Sequence, residues 1–349
     1  MRSCLFGLNW VGDVIMSFPA LTRAAEIAGE PVEIVTRPGL APLYKLIPAA
    51  GTVHAIDTRQ PFWSLLPALV AIRKRSCARV IVLPRSFRTA FQAFLCGGRR
   101  RGYAGEWRSA FLHEAVPVPS WAERVHESFL HLGLVDDTTL GDPPAAPYAP
   151  LPRLAPPEAD AAERTRQRLG LPPAGGYVVF APGAAFGEIK RWPAERFAAL
   201  GRHLLSHHGL PVVLSGSAGE APLTSSIALD IGNGAIDLAG RTSLDELFHL
   251  LSGARLLVCN DSGTMHLGAA LGTPLVVPVG PTDMRRTGPM SPDAIIVTGA
   301  PCPDGVPCRR KNCRHGHRRC LESVTSDAVI AAAERRLSAP AFPRERSIP

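Results

Sequence analysis

Along most of the chain, short apolar runs rich in β-branched residues alternate with longer stretches whose apolar positions recur every three or four residues. The short runs predict strands at residues 4–8, 32–36, 53–57 and 79–83, and again at 177–181, 211–215, 255–260 and 274–278. The longer stretches predict helices at 13–28, 62–75, 122–132, 193–206, 243–251 and 264–271. Strands that are apolar on both faces and separated by helices belong to parallel sheets covered on both sides. The pattern therefore predicts an α/β protein. Seven prolines fall between residues 143 and 157, where neither a helix nor a central strand can continue, and this stretch reads as a semi-rigid connector. A helical pattern at 158–169 follows it, and then the second set of strands begins. The expected architecture is two doubly wound domains of similar size, residues 1–150 and 151–337. A proline-containing tail at 338–349 is expected to fray.

A length of 349 residues suits two domains. With 46% hydrophobic and 19% charged residues, the composition excludes a disordered chain. No apolar run is long enough to span a bilayer, and Asn9 and Asp13 interrupt the N-terminal segment too early for a secretory signal, so a soluble, cytosolic protein is expected. Cys4, Cys77, Cys96 and Cys259 sit in apolar segments and read as small buried hydrophobes. Cys302, Cys308, Cys313 and Cys320 lie close together with His315 and His317, and only their middle spacing approaches that of a zinc site. That loop is either a zinc or redox-sensitive site or a set of reduced, solvent-facing thiols. It also carries Arg309, Arg310, Lys311, Arg314, Arg318 and Arg319.

Three strand-to-helix turns carry candidate chemistry. The first runs Gly7-Leu8-Asn9-Trp10-Val11-Gly12-Asp13. Its glycines let the backbone approach a ligand, but Asp13 stands where a P-loop needs Lys, so a nucleoside triphosphatase is excluded. Asp13 is either a helix cap or a carboxylate at the end of strand one that acts as a general base. The second turn runs from Pro182-Gly183-Ala184 to Lys190-Arg191-Trp192-Pro193, and reads as a diphosphate cradle or as a solvated basic turn. The third, Asn260-Asp261-Ser262-Gly263-Thr264-Met265-His266, opens a helix whose free N–H groups attract anions. Together the three outline a nucleotide-diphosphate site.

In order and spacing, these three motifs resemble the ADP-heptose–lipopolysaccharide heptosyltransferases of glycosyltransferase family 9, over residues 1 to about 337. The Asn9–Asp13 start and the cysteine-rich loop are closer to the heptosyltransferase II branch than to the heptosyltransferase I branch. The resemblance implies a GT-B fold, in which two Rossmann-like domains face a cleft. The first domain would bind a Kdo-lipid A or heptosyl-Kdo-lipid A acceptor and the second ADP-heptose. It also implies an inverting transfer without a metal or other cofactor, and no Asp-x-Asp stands at a strand end to hold one. Asp13 would be the base, with Lys190 stabilising the leaving group. Gly12, Gly183, Glu220, Asp261, Ser262, Gly263, Thr264 and His266 would bind the donor, Glu220 through the ribose hydroxyls. The chain departs from some relatives at Ala184-Ala185, which offers neither hydroxyl nor carboxylate to the diphosphate.

Charge adds an expectation about the acceptor. The net charge is +8, and residues 59–108 hold eleven basic residues against one acid, Glu106. Arg99, Arg100 and Arg101 are the expected landing site for an anionic acceptor, and peripheral attachment to the cytosolic face of the inner membrane, without insertion, would follow. The alternatives are another family 9 transferase with a different nucleotide sugar or core position, and a basic nucleic-acid-binding protein. Few aromatics (6%) and no recognised nucleic-acid motif speak against the last.

Overall fold

The computed structural model describes all residues except Met1, Glu106, Arg153, Pro156, Pro157, Asp304, Val306, Pro307, Arg309 and 340–349. The expected tail, beyond its first two residues, therefore lies outside the described residues, as do Glu106 and Arg309.

Twelve strands form two six-stranded sheets, one in each of two compact units. The first unit, through Ala155, contains β1 (Ser3–Phe6), β2 (Val32–Thr36), β3 (Ala50–Ala55), β4 (Arg79–Val82), β5 (Arg99–Tyr103) and β6 (Glu114–Val116), in the order β3-β2-β1-β4-β5-β6. The second unit, from residue 156, contains β7 (Val178–Ala181), β8 (Val212–Leu214), β9 (Ala235–Asp237), β10 (Leu256–Cys259), β11 (Leu275–Val279) and β12 (Ile295–Thr298), in the order β12-β11-β10-β7-β8-β9. Every neighbouring pair is parallel. Both sheets thus have the doubly wound order 3-2-1-4-5-6. The core of the first includes Cys4, Phe6, Val80, Val82, Leu65 and Leu69. That of the second includes Val178, Phe180, Phe197, Val258, Val276 and Val329. Cys4, Cys77, Cys96 and Cys259 are buried, as their apolar surroundings predict.

All eight expected strands form, β3 a few residues early, and four more appear. Three of these, β6, β9 and β12, are edge strands, where burial on one side only weakens the apolar signal. The fourth, β5, is written Arg-Arg-Arg-Gly-Tyr, and reads as a solvated charge run until its partners are known. Arg100 is buried, donates to the carbonyls of Phe111 (2.7 Å) and Gly98 (2.8 Å), and lies over the Phe94 ring. Arg101, also buried, donates to Glu114 (2.7 Å) on β6 and pairs with Asp137. These two are therefore structural cations and not the solvent-facing landing site that the charge run suggests. Arg99 alone keeps an exposed side chain, 2.5 Å from Glu114.

The helix expected at 13–28 is two helices, Val11–Met16 and Phe18–Ala28. Pro19, which has no N–H, forces a new start there. The capping expectation for Asp13 is corrected: Trp10 holds the cap position, and Asp13 lies inside the first turn. The segment expected to be helical at 122–132 forms a helix only over Glu127–Gly133. Helices over Phe87–Cys96, Ala221–Ile231 and Ser326–Ser338 were not foreseen. The border between the units falls after Ala155, beyond the expected 150, because the connector is tied to the first unit. Ala149 N donates to Ser128 Oγ (2.9 Å) and Ala155 N to Leu46 O (2.7 Å).

Candidate active site

In a doubly wound sheet the connections leave in opposite directions at the point where the strand order reverses, which opens a crevice at the carboxyl ends of those two strands. Here the reversals lie between β1 and β4 and between β7 and β10. All three candidate turns follow such strands, one after β1, one after β7 and one after β10.

In the first unit, Gly7 packs so closely that a Cβ would come within 2.2 Å of the Tyr44 hydroxyl. Only glycine fits this turn. Gly12 is buried, and Asp13 is half-buried in the first turn of Val11–Met16.

In the second unit, the loops after β7 and β10 are joined by one side chain. Asn260 is fully buried; its Nδ2 donates to Pro182 O (2.6 Å) and its Oδ1 accepts from Trp192 N (3.0 Å). Trp192 is anchored in turn by its indole N–H, which donates to Val324 O (2.8 Å). This frame sets Lys190 beside Asp261, with Nζ 2.5 Å from Oδ2 and both side chains largely buried. The hydroxyl of Thr282, in the loop after β11, donates to the same oxygen at 2.5 Å, and the Lys190 ammonium also lies 5.1 Å from the centre of the Phe186 ring. Asp261 is thus a ligand of Lys190 within the protein, and an anion arriving there must share the ammonium with it.

Ser262 caps the helix Gly263–Ala270 with its backbone in extended conformation, but its side chain makes no capping bond. Among the described residues its buried Oγ has no hydrogen-bond partner. A buried hydroxyl left so at a helix N-terminus, next to N–H groups with no partner inside the helix, suits an anion. Gly263 and Thr264 occupy the first turn, and His266 is buried further along. Glu220 follows β8, the strand next to β7. Its Oε2 accepts from Ser217 N and Oγ, both at 2.8 Å, in a capping box. Its other carboxylate oxygen crowds Gly183, where a Cβ would come within 1.9 Å. The structure therefore brings Gly183, Glu220, Lys190, Asp261, Ser262, Gly263 and Thr264 to the carboxyl ends of neighbouring strands in one unit. Gly12 and Asp13 belong to the other.

The cysteine-rich loop packs on the same turn: Arg318 donates to the carbonyls of Glu188 (3.0 Å) and Arg191 (3.3 Å). Cys302, Cys308 and Cys313 are half-buried and Cys320 buried, all as free thiols. The Cys313 Sγ donates to His317 O. Among the described residues, the three ligand-type side chains close enough to share an ion are instead His203, His208 and Glu334.

Sequence reasoning assigned no role to Asn260 or Thr282. Asn260 stood within a quoted motif, and an uncharged amide directly at a strand end was the available signal. Thr282 gave none, because its contact depends on β10 and β11 being neighbours.

The chain resembles known proteins over nearly its whole length. The family model described as glycosyltransferase family 9 (heptosyltransferase) matches residues 69–318. Lipopolysaccharide heptosyltransferase 2 of Escherichia coli K12 is 29% identical, over 95% of this chain and 97% of its own. Lipooligosaccharide heptosyltransferase 2 of Haemophilus ducreyi is 28% identical over the same shares. The solved structure of E. coli ADP-heptose lps heptosyltransferase II superposes with a TM-score of 0.82 at 24% identity, covering 97% of this chain and 98% of that one. This likeness establishes the two-domain GT-B architecture. The chain is a glycosyltransferase, and it belongs to glycosyltransferase family 9, the heptosyltransferases.

Proposed function

We propose that the enzyme transfers L-glycero-D-manno-heptose from ADP-heptose to the inner core of lipopolysaccharide, with inversion, in the manner of heptosyltransferase II. The relatives' names supply the donor and the acceptor class. The observation that carries the reading is Lys190 held beside the N-terminus of Gly263–Ala270, with the Ser262 hydroxyl there unpartnered among the described residues. In the step proposed, an acceptor hydroxyl attacks the anomeric carbon and gives its proton to the Asp13 carboxylate. The bond from that carbon to the diphosphate oxygen breaks, and its electron pair leaves with ADP. Lys190, the Ser262 hydroxyl and the N–H groups of the helix terminus stabilise the added charge. Gly12 and Gly183 admit the donor, Glu220 takes the ribose hydroxyls, and Asp261 and His266 complete the donor site. Of the three arginines expected at the acceptor, Arg99 alone is exposed, and an acceptor carboxylate or phosphate reaching it would share its guanidinium with Glu114. The finer location proposed is peripheral contact with the membrane that carries the acceptor. No described helix is long and apolar enough to cross one.

The test is turnover with ADP-heptose and competing nucleotide sugars, on lipid A–core acceptors of increasing length, with and without EDTA. ADP-heptose should be the donor used, and EDTA should leave the rate intact. Turnover only with another nucleotide sugar would move the enzyme elsewhere in its family, and activity lost to EDTA but restored by Mg²⁺ would overturn the mechanism. Lys190→Ala should weaken ADP binding and slow transfer together, by about 2–4 kcal/mol in the transition state. The remaining alternative, a nucleic-acid-binding protein, has no support from the family.

A further inference from the structure

A surface helix normally shows water a polar face, and the helix Phe62–Lys74 does not. From Phe62 to Ile72 its only polar residue is Ser64. Leu65, Leu69 and Ile72 face the core. Trp63, Leu66 and Val70 face outward, and Trp63 is 77% exposed. The next helix, Phe87–Cys96, continues this apolar surface. Its Phe87 and Phe94 are exposed, and Phe91 joins the two helices, with ring centroids 5.3 Å from Phe62 and 6.4 Å from both Phe87 and Phe94. Aromatic stacking makes this a firm platform and not a set of loose side chains.

The rim of the platform is cationic. Arg73 and Lys74 close the first helix, Arg85 and Arg88 border the second, and all four are exposed. Arg88 donates to the carbonyls of Thr58 (3.3 Å) and Arg59 (3.0 Å), so its charge is held over the edge of the platform without being neutralised. An apolar, aromatic face rimmed by Arg and Lys that pair with no carboxylate among the described residues fits an anionic lipid surface. A second copy would bring the same cations into opposition.

We propose that this face, built from Phe62–Lys74 and Phe87–Cys96, is the enzyme's membrane-docking surface, with Trp63, Leu66 and Phe87 entering the interfacial layer of an anionic bilayer. The proposal rests on the reading above in one respect, that the acceptor is anchored in a membrane. It differs from purely electrostatic attachment in requiring apolar side chains to enter the lipid.

The test uses the full chain with sedimenting vesicles of phosphatidylcholine, alone or with 30% phosphatidylglycerol, in the absence of substrates. The unaltered protein should bind the anionic vesicles and leave the neutral ones. Brominated lipid should quench its tryptophan emission, and Trp63→Phe should remove most of that quenching. Trp63→Ser with Leu66→Ser should weaken vesicle binding by roughly a hundred-fold, about ten-fold for each apolar side chain. Arg73→Ser with Lys74→Ser should weaken the preference for anionic lipid, since only Arg85 and Arg88 then remain on the rim. With ADP-heptose and a deacylated, water-soluble acceptor, both double variants should turn over as the parent does, which shows that they fold. With acceptor embedded in vesicles, both should fall. Vesicle binding that is absent in the parent, or unchanged in the Trp63/Leu66 variant, overturns the proposal. So does a dimer that this variant converts to monomer, since a second copy would then be the occupant. Failure of the donor reading would appear separately, as no turnover by the parent on the soluble acceptor.

Discussion

Asn260 shows what a single uncharged side chain does here. Its amide satisfies a buried carbonyl and a buried N–H on two different loops. Asn260→Ala would leave both unpaired, at a cost of about 2–4 kcal/mol to stability. Urea unfolding should record that loss, and the KM for the donor should rise because the Lys190 turn is no longer held. A variant of normal stability would assign the two bonds no weight. Asp13 makes the opposite prediction. Asp13→Asn should keep stability and ADP affinity while lowering kcat by about 10²–10⁴-fold, the usual size of general base catalysis. Near-normal kcat would remove Asp13 from the chemistry. The candidate positions Asp13, Gly183, Lys190 and Ser262 were legible because each lies in a strand–turn–helix junction, a local pattern. The commitment of Asp261 to Lys190 and Thr282 was not legible, nor was the burial of Arg100 and Arg101. Charge is visible in a sequence; the partner that cancels it arrives only with the fold.

The same distinction holds for elements. Central strands β1, β4, β7 and β10 announced themselves as continuous apolar runs, whereas β5 hid behind three arginines and the three-residue strands β6 and β9 offered too little pattern to read. The short helix Glu127–Gly133 carries a consequence for pH. Its His131 is buried, Nε2 has no hydrogen-bond partner among the described residues, and burial, with His126 nearby, pushes its pKa down from 6.5 to about 4. Between those values the unfolded chain binds a proton that the native one refuses. The stabilisation is therefore complete above pH 6.5 and lost as pH falls toward 4, by about 3 kcal/mol in all. Denaturant midpoints measured from pH 7.5 to 4 should show this slope, and His131→Leu should flatten it. An equal slope in the variant would place the acid sensitivity elsewhere.

At the scale of the whole molecule, the two-domain α/β architecture could be read from the proline-rich stretch and the repeated strand–helix alternation. The position of the border could not, because it depends on the backbone bonds of Ala149 and Ala155. Each unit has its own sheet and its own core, so calorimetry should resolve two unfolding transitions. On the proposed reading most donor contacts lie in the second unit, so ADP should raise that unit's transition the more, by about 2.7 kcal/mol at a hundred times its Kd. A single transition that moves as a whole would reject separate stability. The winding of the sheets also bears on how the protein is made. Ser3 pairs with Arg79, and Val178 with Leu256, so the first strand of each unit acquires its second neighbour only after roughly half of that unit has been added. On the ribosome, β1 must therefore wait, apolar on both faces and open along one edge, until β4 leaves the exit tunnel. Nascent chains arrested before Arg79 should recruit holdase chaperones, and those arrested well past Ala155 should release them, because by then the first sheet has closed its own edge.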